Sequence, residues 1–364
     1  RFGSLSGSLS RRVEVRSFRM QKEKKMVTLT RFLSELKTSY AKDMQHDIVE
    51  MMASIQVAAK SISKYVNRAG ITNLYTAGAV GAGMVRKLDV LANETIIETM
   101  SQCHQVYVMA SEESRDPIIL RDDPGGYEVV FDPLDGSQNI DCNMSLGTVF
   151  GIYDKTPKMG GMTSVKNLLK KGTQLIAAGY VHYGAATVLV VSVGQGVHEF
   201  ILDQDIGEFL LVRKRISMPR HAPIYSTNES NSEIWDGVMR TFIKKVKTPK
   251  DPVRKPMKSR YVGTMVSDVH RSLLYGGLYL YPGTESRPGG KLRVLYECNP
   301  IAFLIEQAGG KAFTLDIKTG KPQRVLDVQP TALHQQVPFF CGSFDDVSVL
   351  EKMYIEKSKI SSKL

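Results

Sequence analysis

The stretch Glu128-Val-Val-Phe-Asp-Pro-Leu-Asp-Gly-Ser137 decides the reading of this chain. Glu128-Val-Val-Phe131 is a short run of β-branched and aromatic residues, which predicts a buried strand. The chain then turns acidic. Asp132 and Asp135 bracket a Pro-Leu turn, so two carboxylates and the Leu134 carbonyl converge on one or two cations. Gly136 and Ser137 offer backbone N–H groups at a helix start, a cradle for a phosphate. Loops at the carboxyl ends of strands are where α/β folds build their sites.

Working outward, Ile48, Met52, Ile55, Ala59, Ile62 and Val66 recur at helical spacing and predict a helix over 47–66, stopped by Gly70. The segment Thr76–Gly83 is a loop by its glycines. A second helix fits 88–102, followed by a strand at Gln105–Met109. Further strands fit 146–153, 174–183 and 186–193. Arg213–Ala222 is polar and basic and carries a proline, which places a domain boundary near 217. Beyond it come a strand at Pro223–Ser226, a helix around 232–245, a basic linker, a helix over 264–275, and strands at 277–281 and 291–297. A helix from Pro300 to Ala308 follows, capped by Asn299 and stopped by Gly309-Gly310. Strands alternating with helices predict an α/β fold with mixed sheets. The expected division is a basic tail over 1–25, domains over 26–217 and 218–355, and a flexible tail over 356–364.

Composition narrows the function. An apolar fraction of 42% and a charged fraction of 23% exclude a mostly disordered chain. No apolar run approaches the ~18 residues that span a bilayer, so no membrane partner is expected. The net charge of +11 is local: residues 1–25 hold eight Lys/Arg and two Glu, and residues 244–260 hold eight Lys/Arg and one Asp. Neither run interleaves aromatic residues, so no nucleic-acid partner is expected. The four cysteines form no C-x-x-C pair, which gives a zinc site no support. The final Ser362-Lys363-Leu364 matches the address read by the peroxisomal import receptor.

Two more acidic clusters follow predicted strands: Glu112-Glu113, and Glu297 at the end of Lys291–Glu297. Carboxylates gathered this way repel one another unless cations sit among them. Oxygen ligands without His or Cys favour Mg²⁺, with Mn²⁺ as a substitute. Strand alternation places Lys291, Arg293 and Glu297 on one face, where a multiply charged anion would pair with the two cations. Metals beside a phosphate cradle point to metal-assisted phosphoryl transfer to water.

The blocks Phe131–Asp141, Arg260–Arg271 and Lys291–Pro300 are similar to those of fructose-1,6-bisphosphatase, and the resemblance runs from about Met26 to about Tyr354. It implies a layered αβαβα fold with two mixed-sheet domains. It also implies Mg²⁺-dependent hydrolysis of the 1-phosphate of fructose 1,6-bisphosphate, in gluconeogenesis, by attack of a metal-activated water. Glu112, Glu113, Asp132, the Leu134 carbonyl, Asp135 and Glu297 fall where the family holds its metals. Asp135, Gly136 and Ser137 fall at the 1-phosphate, and Asn228, Tyr261, Tyr281 and Lys291 at the sugar and 6-phosphate. Arg260 matches an arginine that reaches a neighbouring subunit's site in a homotetramer, and Asp89 matches a carboxylate that helps deprotonate the water together with Glu113. The family's AMP effector segment reads Gln45–Val49 here, with Gly126 and Asp154 where relatives carry Lys and Arg, while Tyr127 is kept. Gly83 stands where relatives carry a loop aspartate. The terminal Ser362-Lys363-Leu364 predicts a peroxisome-like organelle such as the glycosome, and otherwise a cytoplasmic chain. The alternatives are sedoheptulose-1,7-bisphosphatase, an inositol monophosphatase, or, in another class, a basic anion-binding protein without catalysis.

Overall fold

The computed structural model describes residues 26–36, 42–69, 71, 85–121, 126–155, 165–249 and 255–361. The predicted tail over 1–25, the loop at 76–83 with Gly83, and the terminal Ser362–Leu364 lie outside the described residues.

Helices α1 (Leu29–Glu35), α2 (Lys42–Arg68) and α3 (Val85–Ser101) precede an eight-stranded sheet. Its strands are β1 (Val106–Ser111), β2 (Ile118–Ile119), β3 (Tyr127–Asp135), β4 (Leu146–Tyr153), β5 (Leu175–Tyr183), β6 (Thr187–Ser192), β7 (Val197–Asp203) and β8 (Glu208–Ile216), with a short α4 (Val165–Leu168) before β5. The order is β2-β1-β3-β4-β5-β6-β7-β8, and only β1 and β3 pair in parallel.

The second sheet holds β9 (Ile224–Ser226), β10 (Lys258–Ser259), β11 (Leu278–Tyr281), β13 (Lys311–Leu315), β14 (Pro322–Arg324) and β16 (Phe339–Gly342), in the order β10-β9-β11-β16-β13-β14. Strands β12 (Leu292–Arg293) and β15 (Gln336–Val337) form a separate ribbon. The helices of this half are α5 (Gly237–Lys247), α6 (Met265–Tyr275), α7 (Asn299–Gln307) and α8 (Phe344–Ser361).

Strand alternation sorts the side chains into layers. Val129 and Phe131 pack with Met52, Ile55, Ile62 and Ile96 of α2 and α3. Val130, between them, faces the other way and joins Val266 of α6, Ile301 and Leu304 of α7, and Tyr279 and Phe339 of the second sheet. The far face of that sheet, with Leu280, Phe313 and Phe340, packs on Phe242 of α5 and Leu350 of α8. The architecture is therefore the expected αβαβα stack. Strands covered on both faces read as continuous apolar runs, and all eight residues of β4 are buried.

Several boundaries differ from expectation. The strand starting at Tyr127 does not stop at Phe131. It continues through Asp135 with a bulge between Asp132 and Asp135, so the Pro-Leu pair lies within an irregular strand. Proline is tolerated there because a bulge releases a ladder bond, and Thr148 Oγ1 satisfies the Pro133 carbonyl at 2.9 Å. Ser137 opens only a three-residue 3₁₀ turn. Strands β7 and β8 were not anticipated. Arg213 lies within β8, not in a linker, because its guanidinium reaches Glu199 of β7 at 2.5 Å. The expected strand over 291–297 ends at Arg293, and Val294–Cys298 form a π-turn leading into α7. Asn299 is thus inside the helical run and caps nothing; its amide donates to Tyr153 Oη at 3.0 Å. Residues 356–361 continue α8 in place of a flexible tail, with Lys357 3.8 Å from Asp236.

Candidate active site

Because β1 and β3 run parallel, their carboxyl ends open at the same place. The register pairs Ser111 with Phe131, and Glu112 N donates to the Phe131 carbonyl at 3.1 Å. Glu112 is thereby set beside Asp132. The π-turn brings in Glu297, whose Oε2 accepts from Arg293 N at 2.7 Å. Each of Glu112, Asp132 and Glu297 offers a carboxylate oxygen within 4.8 Å of the other two. Arg293 and Glu297 do meet, but through this turn and not through strand alternation. The Arg293 guanidinium lies 2.5 Å from Glu112 and 3.7 Å from Glu297, so it answers the acids and does not stand as a free cation.

Asp135 continues the cluster. Its Oδ2 accepts from Val266 N, at the first turn of α6, at 2.8 Å. Two contacts latch α6 to β5: Tyr180 Oη to His270 Nδ1 at 2.8 Å, and His182 Nε2 to Ser267 Oγ at 3.1 Å. Burial pushes both imidazoles down to about 4, so the latch is uncharged at neutral pH. Gly136 has φ +82°, and a Cβ there would collide with the Thr264 side chain. That threonine is fixed by Asn139 Nδ2 at 2.6 Å and by its own donation to the Ser145 carbonyl at 2.8 Å. Only glycine suits this position.

On α3, Asp89 is buried, and its Oδ1 has no hydrogen-bond partner among the described residues. One turn later Asn93 Oδ1 accepts from Ser111 Oγ at 2.6 Å, tying α3 to the end of β1. Ser111 Oγ also accepts from Glu113 N at 3.2 Å.

The electrostatics record the crowding. Burial, then the Glu113 charge, raises Asp89 to about 7. Burial raises Asp135 to about 7 against the bonds from α6, and raises Glu297 to about 8 with Glu112 adding to it. Asp132 is raised well above the usual carboxylate range, by burial and then by Glu112, Asp135 and Glu297; Glu113 is raised by burial and Glu112. A buried set of carboxylates held at such a cost is what a divalent cation would relieve. The donors are oxygens throughout, with no His or Cys in the group, which suits Mg²⁺ or Mn²⁺.

The second sheet supplies the facing wall. Strands β9, β10 and β11 are mutually parallel, and Asn228, Arg260 and Tyr281 lie at or just beyond their carboxyl ends. Burial raises both phenols; the charges of Tyr281 and Asp135 raise Tyr261 further, and that of Glu297 raises Tyr281. These two tyrosines therefore adjoin the acidic cluster. Arg260 and Lys291 are exposed, and Asn228 is turned onto Ser230. Asn228 and Arg260 thus share the rim at the ends of these parallel strands, and Lys291 leads into the separate β12 ribbon.

Sequence reasoning missed Thr264, Asn93 and Asp268. Asp268 is fully buried and accepts from Val262 N and Gly263 N at 3.1 and 3.2 Å, which shapes the loop after Tyr261. An acid between Val266 and Val269 on an inward helix face was the available signal. In the segment Gln45–Val49, Gln45 donates to the Leu36 carbonyl at 2.7 Å. Asp47 Oδ2 accepts from Tyr127 Oη and from Lys155 Nζ, each at 2.9 Å.

A carboxylate cluster beside a glycine cradle, set between two mixed sheets, defines a phosphoester hydrolase. The comparisons give the family. Residues 27–214 match the family model "Fructose-1-6-bisphosphatase, N-terminal domain", and residues 218–355 match its C-terminal domain. The chain is 43% identical over 341 residues to the cytosolic fructose-1,6-bisphosphatase of Brassica napus, covering 92% of this chain and 97% of that one. It is 45% identical over 329 residues to isozyme 2 of Bos taurus, covering 89% and 94%. The crystal structure of Leishmania major fructose-1,6-bisphosphatase in holo form superposes with a TM-score of 0.80 at 36% identity, covering 90% of this chain and 99% of that one. This chain belongs to the fructose-1,6-bisphosphatase family and is a phosphatase.

Proposed function

We propose that the chain hydrolyses fructose 1,6-bisphosphate to fructose 6-phosphate and phosphate at the cluster of Glu112, Asp132, Asp135 and Glu297, as a step of gluconeogenesis. The observation that carries this reading is the convergence of three carboxylate oxygens within 4.8 Å next to the Gly136 cradle. Glu112, Glu113, Asp132, the Leu134 carbonyl, Asp135 and Glu297 would hold Mg²⁺. When bound, the metal supplies charge neutralisation for the phosphate and a more acidic water.

The chain's own residues do the rest. Gly136 and Ser137 place the 1-phosphate with backbone N–H groups. Asp89, raised to about 7, accepts the proton of the attacking water at its unpartnered Oδ1, with Glu113 beside it. The water oxygen bonds to phosphorus as the bond to the sugar oxygen breaks, and the departing 1-oxygen takes a proton from solvent water to become the 1-hydroxyl of fructose 6-phosphate. Tyr261, Tyr281, Asn228 and Lys291 orient the sugar and its 6-phosphate, while Arg293, paired with Glu112 and Glu297, positions those acids instead of serving the substrate as the sequence suggested. Arg260, exposed on the same rim, serves a neighbouring subunit of a homotetramer.

AMP as an effector belongs to the same proposal. The segment Gln45–Val49 that would contribute to it is tied down by the Asp47–Tyr127 and Asp47–Lys155 contacts, and a Cβ at Gly126 would press on the Gln105 carbonyl. So does a peroxisome-like location read from Ser362-Lys363-Leu364. No helix among the described residues is long and apolar enough to cross a membrane.

The test is a rate comparison on fructose 1,6-bisphosphate, sedoheptulose 1,7-bisphosphate and inositol 1-phosphate, with the sugar product followed by ³¹P NMR. Fructose 1,6-bisphosphate should be the fastest, with its 6-phosphate retained. Faster turnover of either other substrate would replace it as the assignment.

A further inference from the structure

Of the second basic run, residues 244–260, only Arg260 belongs to the site described above, and the structure gives the lysines before it a setting of their own. The end of α5, the start of α8 and the segments around His221 and Met257 enclose a cavity of about 720 Å³. It lies on the outer face of the second sheet, in the α5/α8 layer, and the sheet itself stands between it and the acidic cluster. Its volume is that of a small-molecule site.

The lining is divided by chemistry. Phe242, which is buried, and the partly buried Met257 supply an apolar floor. Lys244, Lys245 and Lys255 stand at the rim with His221. Lysines in the last turn of α5 are ordinary partners of a helix C-terminus. Lys255 and His221 come from other parts of the chain, so helix charge alone does not account for the rim. Among the described residues none of the three lysines has an ion-pair partner, whereas the neighbouring Lys247 is held by Glu229 at 2.7 Å. The acid at the rim, Asp346, is already engaged, by His221 and by Ala222 N at 3.1 Å. Three unneutralised cations over an apolar floor call for a multiply charged anion with an apolar body.

We propose that this cavity is a second ligand site, distinct from the catalytic one, for an organic phosphate carrying an aromatic or apolar body. The lysines would grip the phosphates, and Phe242 and Met257 would cover the body.

The probe is ADP, which joins a diphosphate to an aromatic base, titrated calorimetrically into the full chain in its assembled state with Mg²⁺. Pyrophosphate alone and adenosine alone are titrated in parallel. The variants are Lys245→Glu/Lys255→Glu and the milder Lys245→Met/Lys255→Met, both at exposed positions outside the catalytic machinery, with phosphatase activity as the folding control. The proposal expects saturable ADP binding that weakens at least tenfold in the Glu pair and less in the Met pair, while turnover is kept. It expects pyrophosphate and adenosine each to bind at least fivefold more weakly than ADP. No saturable binding to the unsubstituted chain, or binding that both pairs leave unchanged, would overturn the site. Pyrophosphate binding as tightly as ADP would overturn the role given to the apolar floor.

Discussion

Glu297→Gln should make the metal-free protein more stable while it disables the enzyme. Glu297 is buried and crowded by Glu112 and Asp135, and its carboxyl is raised from 4.5 to about 8. The sign follows from proton counts. Between pH 4.5 and 8 the folded state holds a proton on Glu297 that the unfolded chain has released, so the stability it contributes is lost as pH rises through that window. At pH 7.5 the part of that window already crossed corresponds to about 4 kcal/mol. Glu112, Asp132 and Asp135 share the same repulsion, so roughly half, ~2 kcal/mol, is assigned to this residue. Glutamine removes that cost and keeps an oxygen to accept from Arg293 N. For 364 residues, an unfolding entropy of about 2.1 cal/mol/K per residue converts ~2 kcal/mol into a Tm higher by about 2–3 °C. Activity should fall by at least about 100-fold, since even outer partners of a metal site cost about 10–100-fold. The assay pairs thermal unfolding in EDTA at pH 7.5 with phosphate release over a Mg²⁺ titration. A lower Tm without metal, or an unaltered Mg²⁺ titration, would refute the reasoning.

The remaining predictions concern the same group of acids. Asp89, Asp135 and Glu297, raised to about 7, 7 and 8, keep their protons in the folded state over a range where the unfolded chain has lost them. The Tm in EDTA should therefore fall from pH 6.5 to pH 8, above the range in which the buried His182 and His270, neutral in the fold, oppose the trend, and the Mg²⁺ concentration for half-maximal rate should fall from pH 6 to pH 8.5, because metal binding needs the carboxylates ionised; a flat Tm from pH 6.5 to pH 8 would count against the crowded cluster. Asp89→Asn should lower turnover by about 10²–10⁴-fold with substrate binding retained, and near-normal turnover would remove it as the base. Gly136→Ala should lower kcat/KM sharply and destabilise the fold by about 1–2 kcal/mol, from the left-handed backbone and the Thr264 contact; a crystal structure showing an unmoved Thr264 with full activity would contradict this.

How far the sequence carried depends on the element. The long helices and the middle strands were legible because each buries an uninterrupted apolar face, as β4 and α2 do. The acids at 112, 132, 135 and 297 were legible because carboxylates gathered after apolar strands have few explanations other than a cation. Strand β8 was not, since its outward Arg213, Lys214 and Arg215 give it the composition of a linker. The π-turn at Val294–Cys298 was hidden for another reason. Val-Leu-Tyr satisfies strand and helix propensity alike, and what selects the turn is the bond between Arg293 N and Glu297, a contact with no signature at the level of composition. The boundary expected near 217 follows the end of β8 at Ile216, where the chain leaves the first sheet. It could not show that Val130 and Ile301 lie in one core layer shared by both halves.

The central claim is that the acidic cluster holds the divalent metal on which hydrolysis of the 1-phosphate depends. The most direct measurement is the initial rate of phosphate release from fructose 1,6-bisphosphate by the unsubstituted chain and by Asp132→Asn, each across a Mg²⁺ titration that starts in EDTA. The account predicts no turnover in EDTA, a saturable rise with Mg²⁺ in the unsubstituted chain, and a loss of at least about 100-fold in Asp132→Asn at every Mg²⁺ concentration. Turnover that persists in EDTA, or an Asp132→Asn titration that overlays the unsubstituted one, would contradict it.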